Sequence, residues 1–208
     1  MVDQRVVLLG FKEWGAVIRA LEEGDQTCII RKGPKKEDQF DLSNRRFWLV
    51  PTYSHQKEDY IQPFYRDYLT ESEEQQAEAG EDKVHVQCWV QAKTVIKITK
   101  NQRLNWVTDH TIYSPRCLQE RFQLQPNEAL HMLVVRAYQL SDPRRLDAPD
   151  GYDECTAQGG ESYVQLKQRI PLTRDNPAIS DEEFEERKTA LKEKFIREDE
   201  QQPDPLLF

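Results

Sequence analysis

Apolar residues recur at helical spacing near the amino terminus of the chain. In the segment FKEWGAVIRALEEG, residues 11–24, they stand three or four positions apart, at Phe11, Trp14, Val17, Ile18 and Leu21. Gly24 follows the last of these residues and is a typical helix stop. The pattern predicts a helix with one buried face over residues 11–24.

Four further segments carry the apolar runs or alternation that are typical of strands. They are TCIIR at 27–31, RFWLVPTY at 46–53, VHVQCWVQAKTVIKIT at 84–99 and ALHMLVVRAYQL at 129–140. The third of these segments is long for one strand, so we expect a bulge, bend or turn near Gln91 to Lys93. The last is continuously apolar in its middle, which predicts a central strand.

Two more helices are indicated by their capping residues. Ser114 and Pro115 fit the N-cap and first turn of a short helix through residues 116–122. Ser180 and Glu183 form a capping box before a charged segment over residues 180–199. That segment has a narrow apolar stripe at Phe184, Leu191, Phe195 and Ile196.

Together these elements predict an α+β fold with a mixed, mostly antiparallel sheet or a small β-barrel. We expect one globular domain over residues 1–178, followed over 179–208 by a helix and tail that dock on this domain or on a partner. The acidic stretch TESEEQQAEAGED, residues 70–82, is predicted to be a solvated loop. A long loop rich in Pro, Gly and Asp is expected over residues 141–161.

Composition narrows the class of protein. The 208 residues are 38% hydrophobic and 32% charged, enough to bury a core. The chain has no apolar run of membrane-spanning length and no secretory signal pattern, so we expect a cytoplasmic protein without membrane association. The cysteines lack a C-x-x-C pair and predict neither a zinc site nor disulfides; they are Cys28, Cys88, Cys117 and Cys155.

Charge is unevenly distributed along the chain. The net charge is −8, yet residues 83–138 contain eight basic and only three acidic side chains. The acidic excess lies in residues 70–82 and in residues 139–208. A basic middle segment is compatible with an anionic ligand.

A second basic group surrounds the gap between the first two predicted strands. Its members are Arg31, Lys32, Lys35, Lys36, Arg45 and Arg46. Hairpin-like pairing of the two strands would bring these charges together, where they would bind phosphate or be neutralised as a solvated face by Glu37, Asp38 and Asp41. Both interpretations remain open on the sequence alone.

Aromatic and polar residues near the second of these strands complete a candidate ligand site. Trp48 and Tyr53 belong to the core or stack on a base. His55 and Gln56 follow the strand, where a histidine binds phosphate, acts as a base or is simply hydrogen bonded. We therefore predict binding of RNA, DNA or a nucleotide, through a site made of Arg31, Lys32, Arg46, Trp48, Tyr53, His55 and Gln56.

Two other functions are kept as alternatives. A metal-dependent nuclease would need acidic residues and a lysine around Mg²⁺, and Glu13, Asp25 and Lys93 are its nearest candidates. A protein interaction module would use the 180–198 helix, for a partner protein or for self-association. Nucleotide-loop, lipase and zincin motifs are absent from the sequence, so we assign no catalytic residue, no metal ligand and no cofactor.

Several blocks of the sequence resemble a known family. The segments FKEWGAVIRALEEGDQTCIIRKG, FWLVPTYSHQ and TIYSPRCLQERF, with LHMLVVRAYQL after them, resemble a bacterial family catalogued as domain of unknown function 1802. The resemblance covers about residues 10 to 140. It implies that these blocks form one unit, and it brings no activity with it.

The opening block alone is also similar to the start of PUA-like and ASCH domains, in which a helix precedes a segment such as GDQTCIIR. That resemblance implies a small β-barrel with a helix over one end. It further implies that a basic residue at a strand end faces a nucleic acid or nucleotide.

Overall fold

The computed structural model describes residues 6–32, 46–80, 82–124, 129–152, 163–171 and 176–200. Within them the strands are β1 (Val6–Trp14), β2 (Cys28–Lys32), β3 (Arg46–Thr52), β4 (Lys83–Ile98), β5 (Leu130–Asp147) and β6 (Tyr163–Pro171). The helices are α1 (Gly15–Glu22), α2 (Arg66–Ala79), α3 (Leu104–Thr108), α4 (Pro115–Gln123) and α5 (Asp181–Glu200).

The six strands form one mixed sheet in the order β2-β5-β4-β3-β1-β6. Only β1 and β3 pair in parallel, and the other neighbours are antiparallel. The predicted α+β class with a mostly antiparallel sheet is confirmed. So is the irregularity in the long strand, because the register of β4 against β5 shifts between Ala92 and Thr94.

The helix predicted over residues 11–24 is partly wrong, because residues up to Trp14 extend β1 and the helix begins at Gly15. Phe11 is buried beside the Phe47 ring of β3, at 5.0 Å between centroids, so the sheet takes up the start of the apolar pattern. Gly15 then allows close packing on α2, since a Cβ there would lie 2.7 Å from the Ser72 Cβ.

Two predicted loops are also corrected. Most of the acidic stretch over residues 70–82 belongs to α2, where Ala, Glu and Gln favour helix and a face with Ser72 and Ala79 is buried. Helix α2 ends at Ala79 and is followed by Gly80, whose φ is 88°. Strand β5 continues through Asp147, into the loop predicted over 141–161, because it pairs there with the start of β4.

Two buried clusters of apolar side chains lie on the sheet. The larger cluster contains side chains from the five strands β1, β2, β3, β4 and β5 and from helices α1, α3, α4 and α5. Because Phe184, Leu191 and Phe195 are buried in it, the C-terminal helix docks on the body of its own chain. The smaller cluster centres on Trp48 and on Trp89, which stacks on Tyr138.

The sheet is strongly curved. Strands β2 and β1 are separated by three others, so a flat sheet would hold them about 19 Å apart at a spacing of roughly 4.8 Å. Nevertheless Arg31 on β2 donates from Nη2 to the carbonyl oxygen of Lys12 on β1. The curvature therefore brings one edge of the sheet to the carboxyl end of β1.

Helix α1 carries a buried carboxylate, Glu22. Its Oε2 accepts hydrogen bonds of 2.8 Å from Arg19 Nη1 and from Gln87 Nε2 on β4. Arg19 also contacts Glu23, and it reaches Glu71 on α2 at 3.0 Å. Burial raises the pKa of Glu22 to about 7, although the hydrogen bonds from Arg19 and Gln87 oppose the shift.

The raised pKa of Glu22 predicts that the folded protein becomes less stable as the pH rises. Because the pKa of Glu22 is higher in the folded protein than in the unfolded chain, its contribution is present below pH 4.5 and is lost as the pH rises to about 7. We expect urea unfolding between these pH values to show a decrease in the free energy of unfolding that Glu22→Gln removes. Glu23→Gln, on the exposed side of the helix, is the control and should show the same decrease with pH as the wild type.

Candidate nucleotide-binding site

A buried ion pair lies at the carboxyl end of β1. The side chain of Glu13 is fully buried, and its Oε2 lies 3.0 Å from Nη1 of Arg31. Its other oxygen accepts hydrogen bonds from the Trp14 backbone N–H at 2.8 Å and from the Tyr113 hydroxyl at 3.3 Å. Burial and the nearby carboxylate raise the pKa of Tyr113, which therefore remains a neutral hydrogen-bond donor to Glu13.

Next to this pair, three aromatic rings and a guanidinium group pack together, with the Trp14 and Tyr113 rings in edge-to-face contact at 5.6 Å between centroids. We call Tyr60, Trp14, Arg121 and Tyr113 the aromatic stack. The Tyr60 and Trp14 rings are 6.1 Å apart between centroids and 7° from parallel. The Arg121 guanidinium lies 4.3 Å from the Trp14 ring centroid and 4.4 Å from that of Tyr113. Its Nη1 donates to the Ile30 carbonyl, which ties α4 to β2.

The outer end of the aromatic stack is partly exposed and lined by charges. Lys57 and Arg116 lie 5.3 and 5.9 Å from the Tyr60 ring centroid. Arg116 pairs with Asp59 and Glu120, and the Tyr60 hydroxyl donates to Glu120. A planar ring framed by cations suits both stacking and attraction of an anion.

Strand pairing places three basic residues side by side. Arg31 on β2 is the register partner of His131 on β5, and His131 is the partner of Lys97 on β4. Register partners in adjacent strands point to the same face of a sheet, about 5 Å apart. We call Arg31, His131 and Lys97 the cation row. Arg31 connects it to the aromatic stack through Glu13.

The predicted site residues are only partly brought together. Arg31 belongs to this site, and Lys32 lies beside it, since its Nζ donates to the Phe122 carbonyl of α4 at 2.8 Å. Trp48 is fully buried in the smaller cluster, where its ring is enclosed by protein. Arg46 pairs in register with Gln91 of β4. The predicted hairpin is wrong, because β5 and β4 separate β2 from β3.

Two other predicted residues, Gln56 and Tyr53, pack where α1 meets α2. Gln56 is buried, donates to Ser72 Oγ at 3.0 Å and accepts from the Ala16 N–H at 3.4 Å. Burial raises the pKa of Tyr53 to about 12. His55 is exposed, with a φ of 68°. Lys35, Lys36 and Arg45, with the carboxylates Glu37, Asp38 and Asp41, lie outside the described residues, as does Cys155.

Sequence reasoning missed most members of the site. Trp14 was predicted to lie on a helix, and Tyr60, Tyr113 and Arg121 come from three segments that no local pattern connects. His131 was given no role beyond its place in the strand predicted over 129–140. Nothing in that segment distinguishes it, because residues 132–135 beside it are continuously apolar.

The residues considered for a metal-dependent nuclease have other partners. Glu13 is paired with Arg31, Asp25 accepts from the Tyr68 hydroxyl at 2.7 Å, and Lys93 donates to Gln91 Oε1 at 3.0 Å. Among the described residues no group of three His, Cys, Asp or Glu side chains is suited to hold a metal ion. The described helices also include none that is both long and apolar enough to cross a membrane.

The model of the family described as "Domain of unknown function (DUF1802)" matches residues 10–190. The chain belongs to this family. The DUF1802 match contains every residue of the aromatic stack and of the cation row, so the resemblance seen in the sequence is confirmed and extends beyond residue 140. No curated protein shows significant similarity to the chain.

Solved structures similar to this DUF1802 chain include an ASCH protein from Zymomonas mobilis. It shares 11% identity, with 88% of this chain and 94% of that chain covered and a TM-score of 0.39. A serine-to-alanine variant of that protein gives 12% identity, 92% and 99% coverage and a TM-score of 0.41. ASCH domains are also what the opening block resembles, but likeness at this level supports no conclusion about function.

The aromatic stack makes Arg121 sensitive to a substitution that keeps its charge. Arg121→Lys should lower the free energy of unfolding by about 1–3 kcal/mol, because an ammonium group cannot contact both the Trp14 and Tyr113 rings and also reach the Ile30 carbonyl. Urea unfolding measures the loss. Arg116→Lys, at a side chain 62% exposed, is the matched control and should change stability by less than about 0.5 kcal/mol. Equal effects of the two substitutions would contradict a structural role of the stack.

Proposed function

We propose that the protein binds a nucleotide unit, free or within a nucleic acid, at the outer end of the aromatic stack. The observation that carries this proposal is the Tyr60 ring, which is partly exposed, held parallel to Trp14 and approached by Lys57 and Arg116. An aromatic ring held in place loses little entropy when a base stacks on it.

Charge near the stack supports an anionic ligand. Lys32 on β2 donates to the Phe122 carbonyl of α4, whose Arg121 contacts the β2 backbone. The acidic side chains beside Tyr60, Asp59 and Glu120, are both engaged by Arg116. Lys57 and Arg116 thus offset the two carboxylates around Tyr60, while the acidic excess of the chain lies in α2 and α5.

The interaction-module alternative receives less support from the C-terminal helix. The apolar side chains Phe184, Leu191 and Phe195 already contact the core of the same chain. A partner would have to displace these contacts before it could use the same stripe. The nucleotide proposal requires only that the exposed Lys57 and Arg116 side chains move aside from the Tyr60 ring, which is itself partly exposed.

The proposal predicts that Tyr60→Ala weakens binding. We expect a labelled single-stranded RNA or DNA to bind in EDTA with an affinity that falls as salt is raised. Loss of one stacked base is worth about 1–3 kcal/mol, which corresponds to roughly 5-fold to 150-fold in Kd. Fluorescence anisotropy with RNA, DNA and competing mononucleotides measures this effect and identifies the preferred form of the ligand.

Tyr65→Ala is the matched control, because Tyr65 is a partly exposed tyrosine that stacks on Tyr68 outside the aromatic stack. Its Kd should stay within about twofold of the wild type, a change of less than 0.5 kcal/mol. Absence of binding by the wild-type protein to RNA, DNA and mononucleotides alike would refute the proposal. If Tyr60→Ala binds with the wild-type affinity, the aromatic stack is not the binding site.

A further inference from the structure

The guanidinium group of Arg116 lies beside the ring on which we propose that a base stacks. Its central carbon is 5.9 Å from the Tyr60 ring centroid. Its Nε donates to Glu120 Oε1 at 2.8 Å, and its Nη1 donates to Asp59 Oδ2. Near the Tyr60 ring there is therefore a planar group whose N–H bonds are directed at two carboxylates.

Glu120 lies at the hydroxyl edge of the Tyr60 ring. Its Oε2 accepts a hydrogen bond from the Tyr60 hydroxyl, and its Oε1 accepts from Arg116. The hydrogen bond from Tyr60 and then that from Arg116 lower the pKa of Glu120, so the group is an ionised acceptor at neutral pH. Because this side chain is 45% exposed, a ligand can reach it from solvent. A base stacked on Tyr60 would have this carboxylate at its edge.

A base that takes the outer face of Tyr60 moves Arg116 aside, and Glu120 and Asp59 then lose N–H donors. The bases differ in how well they replace these donors. Guanine carries N1–H and the N2 amino group side by side, which is the same fork of parallel N–H bonds that a guanidinium presents. Adenine and cytosine carry one amino group beside an acceptor nitrogen, and uracil carries one N–H between two carbonyl oxygens. Their acceptor atoms would face the carboxylate and be repelled.

We infer that the site selects guanine and that Glu120 is the residue that recognises it, an assignment that rests on the nucleotide-binding function proposed above. The two oxygens of Glu120 accept from N1–H and from the N2 amino group, in the bidentate geometry that a carboxylate adopts with arginine. Lys57 and the displaced Arg116 are exposed and carry the positive charge that attracts the phosphate.

The assignment predicts a ranking of nucleotides. In EDTA, guanosine monophosphate should displace a labelled single-stranded 12-mer at a concentration about tenfold or more below that of the adenosine, cytidine and uridine monophosphates. Inosine monophosphate keeps N1–H but lacks the amino group, and it should compete about fivefold or more less well than guanosine monophosphate. Labelled 12-mers that differ in one central base extend the ranking to nucleic acid, so the comparison is made in whichever form binds.

Glu120→Gln isolates the carboxylate, because an amide has one acceptor oxygen and its NH2 group opposes the N–H bonds of guanine. This variant should bring the affinities for guanosine and adenosine monophosphate to within about twofold of each other, with the adenosine value unchanged. A loss of Tyr60 position alone would weaken both equally. Glu183→Gln is the matched control, since Glu183 is 44% exposed and is also paired with an arginine one helical turn away. It should keep the preference for guanine.

The possible failures are distinguishable. If the four bases compete equally while Tyr60→Ala still weakens binding, the guanine assignment is overturned and the proposed function stands. If inosine matches guanosine, or if Glu120→Gln keeps the preference, Glu120 does not recognise the guanine edge and the assignment is also overturned. If the wild-type protein binds neither the 12-mers nor the mononucleotides, both proposals fail together.

Discussion

The ion pair of Glu13 and Arg31 connects parts of the sheet that are far apart in strand order. Removing two charges from water is costly, and only close geometry with further hydrogen bonds offsets that cost. Glu13 recovers part of this cost through the Trp14 amide and the Tyr113 hydroxyl, and Arg31 through the Lys12 carbonyl, whereas Arg31 Nε has no hydrogen-bond partner among the described residues. The curvature of the sheet and the placement of Trp14 both depend on this contact.

Helix α4 extends the same arrangement toward the surface. Ser114 caps it by accepting from the Cys117 N–H, and Pro115 starts it, so its first turn is defined by local chemistry. The helix then places Arg121 against the Trp14 and Tyr113 rings and Arg116 beside Tyr60. A guanidinium group suits such a position because it is planar and weakly hydrated, so stacking recovers part of the cost of burial. Rigid elements thus support a partly exposed ring.

Local patterns in the sequence were enough to predict β2, the bend in β4, the cap of α4 and the buried stripe of α5. They failed where two structures share one pattern: the spacing of Phe11, Trp14 and Val17 fits a continuous helix as well as a strand followed by a helix. Strand order failed for another reason. Pairing of β2 with β5 rather than β3 depends on contacts across about a hundred residues, which no local signal reports.

The candidate site shows the same division. Arg31 was identified from its place at a strand end, yet its partners Glu13 and His131 come from β1 and β5 and meet it only through the curvature and register of the sheet. Trp48 fitted either the core or base stacking on the sequence, and the structure buries it beside Trp89, its register partner on β4. The chemical type of each site residue could be recognised in the sequence, but the way in which these residues come together in the fold could not.

A double-mutant cycle on the buried pair tests this account most directly. The free energy of unfolding is measured in urea for the wild type, Glu13→Gln, Arg31→Gln and the double variant. We expect each single substitution to cost about 3–5 kcal/mol and the cycle to give a coupling energy of about 2–3 kcal/mol, since either partner alone leaves the other buried and uncompensated. Losses that add to within about 0.5 kcal/mol would contradict the central role of the pair.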